Sequence, residues 1–315
     1  MSPTEVKLIS IHRPTKITGE RLLGNLGREG NVKPTPEHPL IISASELRDF
    51  LRCRVMWNWR HQVGIEPKRR STALALGTLV HQGKDLWYQV PFAKRGVKVM
   101  TKIARKLTQV APTEALSTED LELVNAMLIG YAAWAKQKDP EVGLFVAQPE
   151  LKFDLPLTSS GTIRVRGRID VAFKPTTLKH TMGFLESKTA GQFKTDVIER
   201  NLQLSVYFWA MRMLNPKAKR FIGYYQQLRK QMPTSRVRAP LFVREDVERS
   251  ASEIDQWVID TQRVAQDMLD ASIYPNPMDS CSWGCDYTGP CLLRGEAKDL
   301  QHVLNTEYQP KEYKK

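Results

Sequence analysis

Asp170, Glu186 and Lys188 are the residues of this chain whose types and spacing most suggest chemistry. They stand in Gly167-Arg168-Ile169-Asp170 and, after fifteen intervening residues, Glu186-Ser187-Lys188. Ile163 to Phe173 (IRVRGRIDVAF) and Met182 to Thr189 (MGFLESKT) read as neighbouring strands, rich in β-branched and apolar residues. Strand side chains alternate faces, so Glu186 and Lys188 share one side, and pairing of the strands brings Asp170 to them. Two carboxylates held together repel each other unless a cation lies between them. A lysine beside them can orient or activate a water, which completes an apparatus for metal-assisted phosphodiester hydrolysis. The same spacing also occurs at solvated strand ends that carry a surface salt bridge, so the pattern needs support from elsewhere.

Other side chains offer that support. His81 closes Gly77-Thr78-Leu79-Val80-His81, where a helix would set Gly77 and His81 on one face and let something approach beside the imidazole. A satisfied core histidine fits the same residues. Gln203 and Tyr207 stand at i and i+4 on a helix after the Glu-Ser-Lys strand, able to bond phosphate or stack on a base, or to form an ordinary helix surface. From 212 to 238 there are eight basic residues and no acidic one, with Phe221, Tyr224 and Tyr225 among them. That mixture suits single-stranded nucleic acid, and it suits a solvated basic strand pair equally well. The cysteines number four, with Cys281, Cys285 and Cys291 inside eleven residues and Cys53 far upstream. Two disulfides, four unrelated thiols or one metal site could use them. A close trio plus one distant ligand suits an iron–sulfur cluster better than zinc, which favours closely spaced pairs.

The elements that must position these groups follow from pattern. Residues 1–42 carry scattered Gly and Pro and read as an irregular arm. A helix opens at Ser43, with Glu46 three residues on as a capping box. A second helix covers about 73–90, and two more lie within 92–135, the first basic. Strands are expected near 145–157, 162–174 and 182–189, with a turn at Ser159-Ser160-Gly161. A helix is expected over 195–213 with Thr195 as N-cap, then strands near 219–229 and 237–243 and a helix near 245–270. A length of 315 residues suffices for a full core, and a net charge of +13 attracts polyanions, nucleic acid before anionic membrane. No run of eighteen apolar residues is present, nor an apolar N-terminal signal core. The expected compartment is therefore cytoplasmic and reducing, with no membrane partner.

Together these residues resemble the RecB-like branch of the PD-(D/E)xK nuclease superfamily, and most of all its iron–sulfur members, such as the AddB nuclease domain and the CRISPR-associated RecB-like exonucleases. The likeness runs in order from about 43 to 295. It takes in Ser43 to Cys53, Gly77 to His81, Gly167 to Asp170, Glu186 to Lys188, Gln203 with Tyr207, and the C-terminal cysteine trio. Two departures are visible: three residues rather than two separate Cys281 from Cys285, and Arg54 rather than proline follows the first cysteine, Cys53.

The resemblance implies an α/β, restriction-endonuclease-like mixed central sheet flanked by helices, with a helical subdomain stapled by iron and sulfur. It implies a helical region at 43–140 with the first cysteine and the histidine motif, a nuclease core at 141–272, and a cysteine-rich tail at 273–315 packing back on the helices. The implied activity is a Mg²⁺- or Mn²⁺-dependent exonuclease on single-stranded or end-frayed DNA. His81, Asp170 and Glu186 would hold the metal, Lys188 would position water, and Gln203 and Tyr207 would orient Lys188 or the strand. Cys53, Cys281, Cys285 and Cys291 would hold a 4Fe-4S cluster, with zinc as the alternative. No helicase motif is present, so a helicase or recombination partner would be a separate chain. A DNA-binding module without catalysis and a zinc-stapled scaffold are the rival readings.

Overall fold

The computed structural model describes residues 33–69, 71–111, 115–193, 198–234, 241–270 and 272–311. The chain forms two compact units, one of residues up to 69, 154–166 and from 256, the other of 70–153 and 167–255.

The first unit opens with β1 (Leu40–Ile42), which pairs in parallel with Ile163–Val165. Leu40 and Ile42 are buried, so these three residues belong to a sheet and not to the irregular arm expected for 1–42. Helix α1 (Ala44–Arg52) starts where its cap requires, the Ser43 hydroxyl accepting from the Glu46 N–H at 3.1 Å. It ends at Cys53, whose extended backbone separates it from α2 (Arg54–Trp57). A π-helical turn (Asn58–Val63) leads to β2 (Ile65–Pro67). The core of this unit gathers Val55, Trp59, Ile65, Tyr287, Leu304 and Tyr308, with Cys53, Cys285 and Cys291 packed against it.

The second unit carries the larger core, around Trp87, Tyr88, Met100, Leu128, Tyr131, Phe173 and Leu185. Helix α3 (Thr72–Gln89) is capped by Ser71, whose hydroxyl accepts from the Leu74 N–H at 3.2 Å. Helices α4 (Val97–Gln109) and α5 (Thr118–Glu141) follow, the latter opened by a capping box between Ser117 and Asp120. Strands β3 (Ala147–Pro156) and β4 (Ile163–Phe173) pair, and β5 (Thr181–Ala190) runs antiparallel to β4 with Val171 opposite Leu185. Helix α6 (Leu202–Leu214) crosses to β6 (Arg220–Arg229), which is parallel to β5 with Glu186 beside Tyr225. Strand β7 (Phe242–Val247) closes the order antiparallel to β6.

The sheet is thus mixed and flanked by helices, the α/β architecture expected from the sequence. The Thr195 cap lies outside the described residues. The described helix starts later, where the Asn201 carboxamide oxygen accepts from the Gln203 and Leu204 N–H groups at 3.0 and 3.3 Å. The helix expected from 245 begins at Ala251, because Phe242–Val247 pairs with β6 and tertiary pairing overrides the local signal. That helix, α7 (Ala251–Leu269), leads in the first unit to α8 (Cys281–Gly284), α9 (Thr288–Leu292), α10 (Ala297–Glu307) and β8 (Tyr308–Pro310), which pairs antiparallel with β2.

Candidate active site

The register of β4 and β5 puts Asp170 alongside Glu186, one step beyond the pair of Val171 and Leu185. Alternation along β5 then divides its neighbours. Ser187 and Thr189 face α3, where Lys84 bonds the Ser187 hydroxyl and a side chain at Gly77 would begin 3.1 Å from Thr189 Oγ1. Glu186 and Lys188 face α6, where Lys188 Nζ donates to Gln203 Oε1 at 2.9 Å. What comes close to Gly77 is thus the sheet itself, the lack of a Cβ letting helix and strand pack tightly.

His81, Asp170, Glu186, Lys188, Gln203 and Tyr207 are brought together by this packing. His81 Nδ1 lies 3.4 Å from Asp170 Oδ2, and the same oxygen accepts from the Ser187 N–H at 3.0 Å. Lys188 Nζ lies 2.6 Å from Glu186 Oε1. Gln203 Nε2 donates to Tyr207 Oη at 2.6 Å, and Tyr207 donates to the Arg168 carbonyl at 2.7 Å. Tyr207 is buried and spent in this relay, so it is not a surface on which a base can stack. Tyr224 and Tyr225 of the basic segment are likewise buried, Tyr224 stacked on Phe173 at 6.0 Å, so they are core residues and not a stacking platform. Residues 235–240 of that segment lie outside the described residues.

The electrostatics are asymmetric. Burial would raise the Asp170 carboxyl, but the bond and charge of His81, with Lys84 and Lys188, outweigh it and hold the pKa below the usual range. Burial and the charge of Asp170 push Glu186 up instead, against the pull of Lys188. Lys188 is held above its ordinary value, its desolvation being outweighed by Glu186. Glu186 is 1% exposed, and its Oε2 has no hydrogen-bond partner. A buried, unpartnered carboxylate oxygen is costly, and fits a site built to engage something besides protein.

Three neighbours escaped the sequence reading. Asp85, on the helix of His81, is pushed up to about 7 by burial and by the charges of Glu150 and Asp170. Glu150 adopts a positive φ of 55° and pairs with Arg168. Lys84 is fully buried. Lys84 and Asp85 follow His81 after Gln82 and Gly83 as a charged pair that reads as solvated on a helix, and Glu150 offers no signal either, since its role depends on where β3 runs.

In the other unit the four cysteines are unpaired thiols. Burial pushes the Cys291 thiol up, and Cys53, Cys285 and Cys281 are near enough to add to the shift. The early helix and the tail are already tied without them. Arg52 donates to the Gly284 carbonyl at 2.8 Å, and Arg60 bridges Asp49 at 2.9 Å and Asp286 at 2.5 Å. Among the described residues no three His, Cys, Asp or Glu side chains converge as ligands around a common point, in either unit.

Residues 41–292 match the family model of the PD-(D/E)XK nuclease superfamily. The chain belongs to that superfamily. No curated protein matches the sequence. Among solved structures, a candidate exonuclease from Eubacterium rectale is similar at 10% identity and a TM-score of 0.45, over 86% of this chain and 94% of that one. The protein SSO0001 is similar at 15% identity and a TM-score of 0.36, over 79% and 84%. No described helix is long and apolar enough to cross a membrane.

Proposed function

We propose that this superfamily member is a Mg²⁺- or Mn²⁺-dependent deoxyribonuclease that hydrolyses phosphodiester bonds from single-stranded or frayed DNA ends. The observation that carries the reading is the pairing of Asp170 with a fully buried Glu186 whose Oε2 is unpartnered. Hard oxygen donors beside an imidazole suit such a cation, and Asp170, Glu186 and His81 would hold it by drawing together around it, since they do not converge on one point as they stand. When bound, the cation polarises a phosphate and lowers the pKa of a water.

The protein's own part is positioning and charge. Lys188 reaches solvent with 41% of its side chain exposed, yet its ammonium is fixed by Glu186 and Gln203. It can hold a water in line with a phosphate and offset charge that develops on the leaving oxygen. Gln203 aims Lys188, and Tyr207, anchored on the Arg168 carbonyl, aims Gln203. The net charge of +13 supplies the long-range attraction for a polyanion.

Cys53, Cys281, Cys285 and Cys291 would hold a structural metal centre, 4Fe-4S before zinc, because all four donors are thiols in a close trio with one distant member. Their mutual influence on Cys291 supports it, though the thiols would have to draw closer to ligate. Iron content with broad visible absorption in an anaerobic preparation tests this, and stoichiometric zinc in a colourless one overturns the cluster in favour of zinc. For the nuclease, wild type and Lys188→Met are compared on linear DNA with metal and with chelator. Digestion by wild type in metal alone, lost in Lys188→Met, supports the assignment. Equal, metal-independent traces for the two proteins would leave a DNA-binding module without catalysis.

A further inference from the structure

Lys84 is a buried charge that the proposed chemistry does not use. It is 2% exposed and lies on α3, one helical turn beyond His81. Its ammonium donates to the Ser187 hydroxyl and sits 5.2 Å from the centre of the Tyr131 ring. Ser187 in turn holds Asp170 through its backbone N–H. In the orientation that satisfies every partner, the Gln226 amide donates to the Tyr131 and Ser187 hydroxyls at 3.0 and 3.3 Å. Its oxygen then accepts from Arg244. So the back of the Glu-Ser-Lys strand is a polar network of Lys84, Ser187, Gln226, Tyr131 and Arg244, joined to Asp170 through the Ser187 N–H.

A lone ammonium at this depth is strongly disfavoured unless opposite charges face it. Asp85 from its own helix, Asp170 from β4 and Glu186 from β5 supply them, against one like charge, Arg244 on β7. Burial pulls the lysine's pKa down and the three carboxylates pull it up.

We infer that Lys84 is a resident counter-charge behind β5, on the face opposite Lys188, which keeps Asp170 and Glu186 together without a divalent cation and weakens the binding of that cation. It is a positioning residue, touching neither substrate nor reacting atoms, and the inference rests on the metal reading above. Its benefit is a site that folds before it is loaded and exchanges its metal.

The test is Mg²⁺ and Mn²⁺ binding to the full-length chain, measured by calorimetry and by metal-induced shifts in Tm. The proteins compared are wild type, Lys84→Met, Lys84→Gln and Ser187→Ala. Removal of one buried charge should tighten metal binding on the order of tenfold in both Lys84 variants. Ser187→Ala, which keeps the charge, should stay near wild type. If a Lys84 variant is unfolded in chelator, Mn²⁺ should refold it by replacing the lost charge. Unchanged or weaker binding, or an unfolded variant that Mn²⁺ does not rescue, would show that Lys84 only fills space. A wild type that binds neither metal would sink the nuclease reading itself, whatever the variants do.

Discussion

Glu186→Gln separates function from stability most clearly. The substitution keeps the size of a side chain that is 1% exposed and removes its charge. In the wild type an unpartnered buried acceptor costs about 1–3 kcal/mol, and burial with the charge of Asp170 disfavours ionisation further. Against this stands the Lys188 pair, whose cationic side is 41% exposed and retains Gln203 when Glu186 is neutralised. With its carboxylate buried and its ammonium open to water, the pair contributes on the order of 1 kcal/mol. The variant should therefore match wild type in chelator or exceed it by up to about 2 kcal/mol. It should lose the stabilisation that Mg²⁺ gives wild type, and its cleavage rate should fall by about 10³ or more. Urea unfolding with chelator and with Mg²⁺, beside rates on labelled DNA, reads all three. A loss above about 2 kcal/mol in chelator would refute the reasoning, because it would make Glu186 a structural anchor.

Four further outcomes follow from the same geometry. Asp85 titrates near 7 and Glu186 is raised, so metal binding and cleavage should strengthen as pH rises through about 7. An acid with a raised folded pKa binds extra protons in the fold, so stability in chelator should fall as pH rises between about 4 and 7, and Asp85→Asn should flatten that slope. Tyr207→Phe breaks the relay to Lys188 and should lower kcat about 10- to 100-fold with little change in KM. In Gly167→Ala the new Cβ would meet the Phe153 ring at 2.4 Å, an overpacking of about 1–3 kcal/mol that a lowered Tm would report.

Much of the candidate site's geometry was legible because its residues are local in sequence. Asp170, Glu186 and Lys188 sit on two adjacent strands, so alternation alone aligns them, and i, i+4 spacing on α6 aligns Gln203 with Tyr207. The sheet class followed for the same reason, from strands interleaved with helical patterns. What stayed hidden depends on partners distant in sequence. β1 is a strand only because residues 163–165 lie beside it, and β7 runs on past the expected end at 243 to Val247 only because β6 does. Tyr224 and Tyr225 are buried by packing that no window of their own residues reveals. Lys84 is the sharpest instance: a lysine on a helix reads as solvated, and only the carboxylates behind the strand give it a reason to be buried.

The central claim is hydrolysis by the Asp170, Glu186 and Lys188 site at DNA ends. The most direct measurement is a time course on end-labelled linear and on circular single-stranded DNA, with Mg²⁺ or chelator, for wild type and Glu186→Ala. Mononucleotide or short products are expected from linear DNA, with circles intact and no products with chelator or the variant. Equal, metal-independent traces for both proteins would contradict it.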